Sequence, residues 1–220
     1  MGGETPSEAG LVIYGAGGMG QEIADMVMAS GGNVIGFVDD DPTMAGSSIL
    51  EVPVLGDRKW LSGRGFAVAV GIGSPAARQK AWNDLRADGI GEPPPLVHPT
   101  AYVGLGCRVG AGSIVAAGAT LTADVELGRF VIVNAGATVS HNCRLADFST
   151  VAPGAHLAGD THVEEGADIG IGASVIQGLT VGSWSIVGAG ATVIKDVRPN
   201  TTVVGCPAKV IAERQPGWQA

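Results

Sequence analysis

His141 is followed eighteen residues later by Gly159, and that pair could perform acyl transfer. An imidazole takes the proton from an attacking nucleophile. A backbone N–H left open by a missing side chain receives the oxyanion that forms on the acyl carbon. The pairing has meaning only if residues eighteen apart are stacked neighbours. Seventeen successive positions spaced six residues apart, from Val97 to Val193, are all Val, Leu or Ile. The residue two before each is usually small, as at Ala101, Cys107, Ser113, Ala119, Ala137, Cys143, Ser149 and Ala155. Neither the helical period of 3.6 nor the strand period of two gives this pattern, whereas a hexapeptide repeat does. Three hexads close one triangular coil of about 18 residues, aliphatics inside and small residues at the corners. Gly159 then lies on the coil directly above His141, about 4.8 Å away.

The rest of the composition agrees with a solenoid. Gly fills 36 of 220 positions, against four Phe, four Trp and two Tyr, which suits many tight corners around a narrow aliphatic core. Only 15% of residues are charged, so much of the surface is expected to be covered by further copies of the chain. A net charge of −8 argues against nucleic acid or a membrane surface as partner. No apolar run is long enough to span a bilayer. The first ten residues read neither as a signal peptide nor as a myristoylation site, so the expected location is cytoplasmic. Cys107, Cys143 and Cys206 occupy or neighbour core and corner positions and read as small buried thiols.

Before residue 90 the texture changes. Leu11–Tyr14, Asn33–Val38 and Phe66–Val70 read as strands, with helices over Gln21–Ser30 and about Pro75–Ala87. Such alternation implies a small parallel sheet flanked by helices. Gly91-Glu92-Pro93-Pro94-Pro95 is a stiff connector. The expected organisation is an α/β, Rossmann-like parallel-sheet domain over 1–92 and a parallel β-helix of hexapeptide repeats over 93–220. The tail from Lys195 is expected to fold back over the last coil.

Gly15-Ala16-Gly17-Gly18-Met19-Gly20 matches G-x-G-x-x-G between a strand and a helix, and Asp39 stands nineteen residues past Gly20. That is the dinucleotide fingerprint, but its physics serves any pyrophosphate at a helix N-terminus. The sheet is too small for two mononucleotide halves and a catalytic partner, so a nucleotide sugar is favoured over NAD(P). Gly17, Gly18, Met19, Asp39 and Asp40 are the candidate contacts. Gly71, Gly73 and Ser74, after a later strand at the same sheet end, are further candidates.

The glycine loop, the Asp39-Asp40 pair, the hexads, Asn134 with Ser140-His141, and Val204-Gly205-Cys206-Pro207-Ala208-Lys209 together resemble the sialic-acid O-acetyltransferase-like sugar acyltransferases. Within them the chain is most similar to N-acetyltransferases of nucleotide-linked 4-amino-4,6-dideoxy sugars. The resemblance implies a left-handed β-helix, a homotrimer, and acetyl-CoA between neighbouring helices. It implies transfer to a sugar C4 amine, with GDP-perosamine foremost, for O-antigen or other surface polysaccharide. A UDP-linked 4-amino sugar and sugar O-acetylation remain the alternatives. It also implies His141 as base, Asn142 as its partner, Gly159 as oxyanion donor and Asn134 as a substrate contact. Thr150, Gly159, Ile171, Ala189, Lys195 and Lys209 are the implied CoA contacts. Family members usually carry Asp or Glu after the histidine, where this chain has Asn142. It stands there as a natural variant or as a replacement of a native acid.

Two other readings are weaker. A zinc site needs three converging histidines, and His141, His156 and His162 do not stack in register, so no metal is expected. Reading the β-helix as a mere spacer leaves both the glycine-loop domain and the His/Gly stack without a purpose.

Overall fold

The computed structural model describes residues 10–218. The expectations about the first nine residues therefore lie outside the described residues. The chain divides into two compact units between Pro99 and Thr100.

The first unit holds β1 (Leu11–Tyr14), α1 (Gly18–Ala29), β2 (Val34–Val38), β3 (Ser48–Ile49), β4 (Val52–Pro53), β5 (Ala67–Val70) and α2 (Pro75–Ala87). Its parallel sheet has the order β2-β1-β5, so the first strand is central. That centrality explains why Leu11-Val12-Ile13-Tyr14 is apolar throughout: both faces are covered, and all four residues are buried. Helix α1 packs on β1 and β2 through Ile23, Ala24 and Val27, and α2 packs on β5. Pro75 opens α2 at its first turn, where the missing N–H costs nothing.

The second unit is a parallel β-solenoid built of two-residue strands. Its first face runs from Tyr102–Val103 to Thr192–Val193, and its second from Arg108–Val109 to Thr180–Val181. The third runs from Ile114–Val115 to Ile186–Val187. Partners are eighteen residues apart, as in Thr138↔His156 and Arg144↔His162. Each hexad aliphatic is the second residue of its strand. From Val115 to Val193 they are buried, in one continuous core with Ala119, Ala137, Cys143 and Ala155. Every such Val or Leu contributes roughly 1.5–3 kcal/mol of burial, which the short strands could not supply by hydrogen bonding alone. The two earliest aliphatics depart from the expected interior: Val97 and Val103 are 39% and 37% exposed. An aliphatic at the end of a stack has a coil on one side only.

At the far end the repeat breaks. Ile186 pairs with Thr202 and Val181 bridges Val197, sixteen residues on rather than eighteen. Thr201–Val204 extends the third face, and Lys209–Glu213 returns antiparallel to it. The tail thus adds a strand and a hairpin to the solenoid.

Candidate active site

The corner Ser140–Cys143 joins a first-face strand, Thr138–Val139, to a second-face strand, Arg144–Leu145. Its residues alternate in direction. Cys143 points inward, fully buried, and its thiol donates to the Ala158 carbonyl at 3.2 Å. Burial pushes that thiol's pKa up, so it is a poor nucleophile. Asn142 makes the turn in the left-handed region, φ 61°, which Asn tolerates. His141 projects outward.

Gly159 occupies the position of His141 on the next coil. A Cβ placed there would lie 2.3 Å from the imidazole Cε1, 2.4 Å from Nε2 and 2.9 Å from Nδ1. The ring therefore rests against the glycine backbone, in space any side chain would fill. Among the described residues no acceptor takes the Gly159 N–H. An imidazole and a free amide donor thus sit side by side on one corner, an arrangement that could serve acyl transfer.

A carboxylate also stands beside the imidazole. Asp160 Oδ2 lies 3.8 Å from His141 Nδ1, and the Asp160 N–H donates to the His141 carbonyl at 2.9 Å. Asn142 donates its amide to Asp160 Oδ1 at 3.0 Å. Asp160 is a neighbour of His141 only through the eighteen-residue stacking of Asn142 on it, which adjacency along the sequence does not reveal.

The structure distributes the other solenoid candidates over different corners. Lys195 continues the column of His141, Gly159 and Gln177, as the pairing of Ser174 with Thr192 shows. Asn134, Ile171 and Ala189 stand instead at the preceding corner, before the first-face strands. Asn134 Oδ1 accepts from the Ala135 N–H at 2.7 Å, and Ile171 is 62% exposed. Thr150 is buried in a third-face strand, and Lys209 opens the final exposed strand. One chain alone does not bring Ile171 and Ala189 to the His141 corner. A groove of about 940 Å³ runs along the second face, yet His141 is not in its lining. In its central column Arg108 and Arg144 both pair with Glu126.

In the first unit, the loops after β1 and β5 and the end of β2 converge at the carboxyl edge of the sheet, where ligands of such sheets bind. The glycines there do two jobs. A Cβ on Gly20 would lie 2.0 Å from the Gly15 carbonyl oxygen, and one on Gly71 would lie 2.8 Å from that oxygen and from the Gly20 Cα. These three pack backbone against backbone. Gly17, Gly18 and Gly73 meet nothing within 4 Å and stay open to a ligand, beside half-buried Met19. Ser74 makes no side-chain cap bond, which leaves its hydroxyl at the start of α2.

Asp39 serves partly as a strut: Oδ2 accepts from the Ala16 N–H at 2.7 Å and Oδ1 from the Asp41 N–H at 2.9 Å. Asp40 accepts from the Tyr14 hydroxyl at 2.6 Å and the Arg58 N–H at 2.8 Å. Desolvation alone would raise the Asp40 pKa, but these two hydrogen bonds and the Arg58 charge bring it below the usual carboxylate value. The Tyr14 hydroxyl is raised, by burial first and then by Asp40. Arg78, also unforeseen, is fully buried and donates to the Ile72 and Gly73 carbonyls at 3.0 and 2.5 Å, fixing the second glycine loop.

The two kinds of glycine make a checkable contrast. Gly20→Ala is expected to lower stability by about 1–3 kcal/mol through overpacking, seen as a lower thermal midpoint. Gly17→Ala, in open space at φ −73°, should stay within about 0.5 kcal/mol of the parent. Equal midpoints for the two would refute the division.

A parallel β-solenoid with a histidine set against a glycine at one corner, preceded by a glycine-loop unit, defines an acyltransferase of the hexapeptide-repeat class. Residues 10–85 match the PglD N-terminal domain family. The chain is 36% identical to GDP-perosamine N-acetyltransferase (PerB) from Caulobacter crescentus, solved with CoA and GDP-perosamine. That match covers 94% of this chain and 99% of the other, with a TM-score of 0.86. Variants of that enzyme with one histidine changed to Ala or Asn were also solved with CoA and GDP-perosamine. The acetyltransferase domain of PglB from Neisseria gonorrhoeae is 37% identical, over 93% and 100% of the chains, with a TM-score of 0.85. WeeI from Acinetobacter baumannii is 30% identical, over 92% and 99%, with a TM-score of 0.84. A comparison with curated protein sequences found no match. The chain belongs to the sugar N-acetyltransferase family and is a nucleotide-sugar N-acetyltransferase. Among the described residues no helix is long and apolar enough to cross a membrane, and no cluster of His, Cys, Asp or Glu could hold a metal ion.

Proposed function

We propose that the chain transfers the acetyl group of acetyl-CoA to the C4 amine of GDP-perosamine, in the cytoplasm, for O-antigen or a related surface polysaccharide. The contact of the His141 imidazole with the Gly159 backbone carries this reading. The neutral amine attacks the thioester carbonyl carbon, whose oxygen takes up negative charge facing the Gly159 N–H. His141 accepts the proton that the amine nitrogen sheds. Collapse of the tetrahedral intermediate breaks the C–S bond and expels CoA, leaving the sugar acetamide. CoA is a good leaving group, so no acyl-enzyme is required. Cys143, buried and turned inward, supports direct transfer.

The nucleotide sugar is assigned to the carboxyl edge of the first unit. Its pyrophosphate lies over Gly17, Gly18 and Met19 at the α1 N-terminus. Asp39 and Asp40 retain lone pairs for ribose or purine donors, while Gly71, Gly73 and Ser74 complete the contacts offered by this unit. Acetyl-CoA runs along the His141–Gly159–Lys195 column, with Lys195 and Lys209 near its anionic end. Lys195 is three coils from His141, about 14 Å at the usual strand spacing. Closure into a cyclic trimer would set Thr150, Ile171 and Ala189 of one copy against the catalytic corner of the next.

Lys195→Glu is expected to raise KM for acetyl-CoA about tenfold and leave KM for the nucleotide sugar alone, since only the former's phosphates lie near it. The converse split would place CoA elsewhere. Substrate choice is tested by kcat/KM over a panel of GDP- and UDP-linked 4-amino sugars and their 4-hydroxy counterparts. GDP-perosamine should rank first; a higher value for a UDP-linked sugar, or for the hydroxyl, would reassign the substrate.

A further inference from the structure

We infer that Asp160 is the positioning residue of His141, and that Asn142 holds Asp160 in place. This inference rests on the proposed role of His141 as base. The relevant residues form a column at one corner, Asp124, Asn142 and Asp160, each eighteen after the last and each in the left-handed region at φ 51°, 61° and 58°. Asn and Asp are the residues that adopt this conformation most readily after Gly, so the corner accepts either.

Three observations tie Asp160 to the base. Its backbone N–H donates to the His141 carbonyl at 2.9 Å. Its Oδ2 stands 3.8 Å from His141 Nδ1. Its Oδ1 accepts from the Asn142 amide at 3.0 Å, which aims the other oxygen toward the ring. At 3.8 Å the pair is in electrostatic contact, and catalytic hydrogen bonds of this kind tighten as the reacting complex forms. A carboxylate on Nδ1 keeps that nitrogen protonated and leaves Nε2 as the base, besides stabilising the imidazolium once the proton arrives.

Asn142 is then not a lost acid. An Asp at 142 would stack three carboxylates at about 4.8 Å spacing, and like charges that close repel. The neutral amide separates Asp124 from Asp160 and donates to one of them. The carboxylate nearest the histidine thus comes from one coil further on. The other titratable or charged groups around the hollow at this corner are Asp124, Arg108, Glu126, Arg144 and His162. Arg108 and Arg144 are both committed to Glu126, which leaves Asp160 as the acid in contact with the imidazole.

The experiment compares the full-length chain with Asp160→Asn, Asn142→Asp and the double exchange Asp160→Asn/Asn142→Asp. The pH response of the His141 ring is followed by NMR without substrates, alongside the pH profile of kcat/KM. Asp160→Asn should move the NMR pH response of the His141 ring and the acid limb of kcat/KM to lower pH. It should also lower kcat about tenfold, with both KM values within twofold of the parent. The double exchange, which returns one carboxylate to the ring from the adjacent residue, should recover most of kcat. Asn at 160 keeps the turn, and an unchanged thermal midpoint checks that it does. An Asp160→Asn protein whose ring titration and kcat overlay the parent's would overturn the inference. So would one whose loss the double exchange does not relieve. Because the ring titration needs no turnover, it tests the pairing even if His141 proves not to be the base.

Discussion

His141→Ala is expected to lower kcat by about 10²–10⁴ and to change either KM by less than about threefold, because it removes proton acceptance and little binding. The side chain is 59% exposed, so fold and thermal midpoint should be untouched. Steady-state kinetics near neutral pH settles the matter. Activity retained within tenfold would remove His141 from the role of base.

Gly159→Ala is expected to cost at least about 10² in kcat, for two reasons that act together. The methyl group would enter the imidazole's own volume, at 2.3 Å from Cε1 and 2.4 Å from Nε2, and must push the ring off the backbone. It would also crowd the N–H proposed to receive the oxyanion, and loss of one such donor alone costs about 10²–10³. Adding exogenous imidazole should not restore the rate, because the oxyanion contact remains impaired. A Gly159→Ala enzyme within fivefold of the parent would show that neither the ring's seat nor the amide matters.

The fold was legible where burial repeats with a fixed period. The hexad aliphatics read as interior, which holds from Val115 to Val193, and three hexads make the eighteen-residue coil. The α/β unit was legible from its apolar strands and from Pro75 and the glycine loop as punctuation. What escaped has physical causes. The hairpin of β3 and β4 turns at Leu50 and Glu51, at φ 51° and 65°, without the Gly or Asn that signals such a turn. The final rung is two residues short because the tail follows its own pairing rather than the repeat.

Within the site, Gly159 was legible because stacking was applied to the histidine. Asp160 was not, because carboxylate partners were sought next in sequence instead of next in space. Arg78 is a charge at an inward helix position, which looks like an error of patterning until its carbonyl partners, Ile72 and Gly73, are seen. The division of the glycines into packing and open positions belongs to the three-dimensional structure, since all of them satisfy the same motif.

The most direct test of the account is the reaction itself. Purified protein is mixed with acetyl-CoA and GDP-perosamine, free thiol is counted, and the product is identified by NMR. One thiol should appear per sugar acetylated, with the acetyl group as an amide on the C4 nitrogen and none on the protein in quenched samples. An ester product, an acetylated chain that transfers on to the sugar, or no turnover with any nucleotide-linked amino sugar would contradict it.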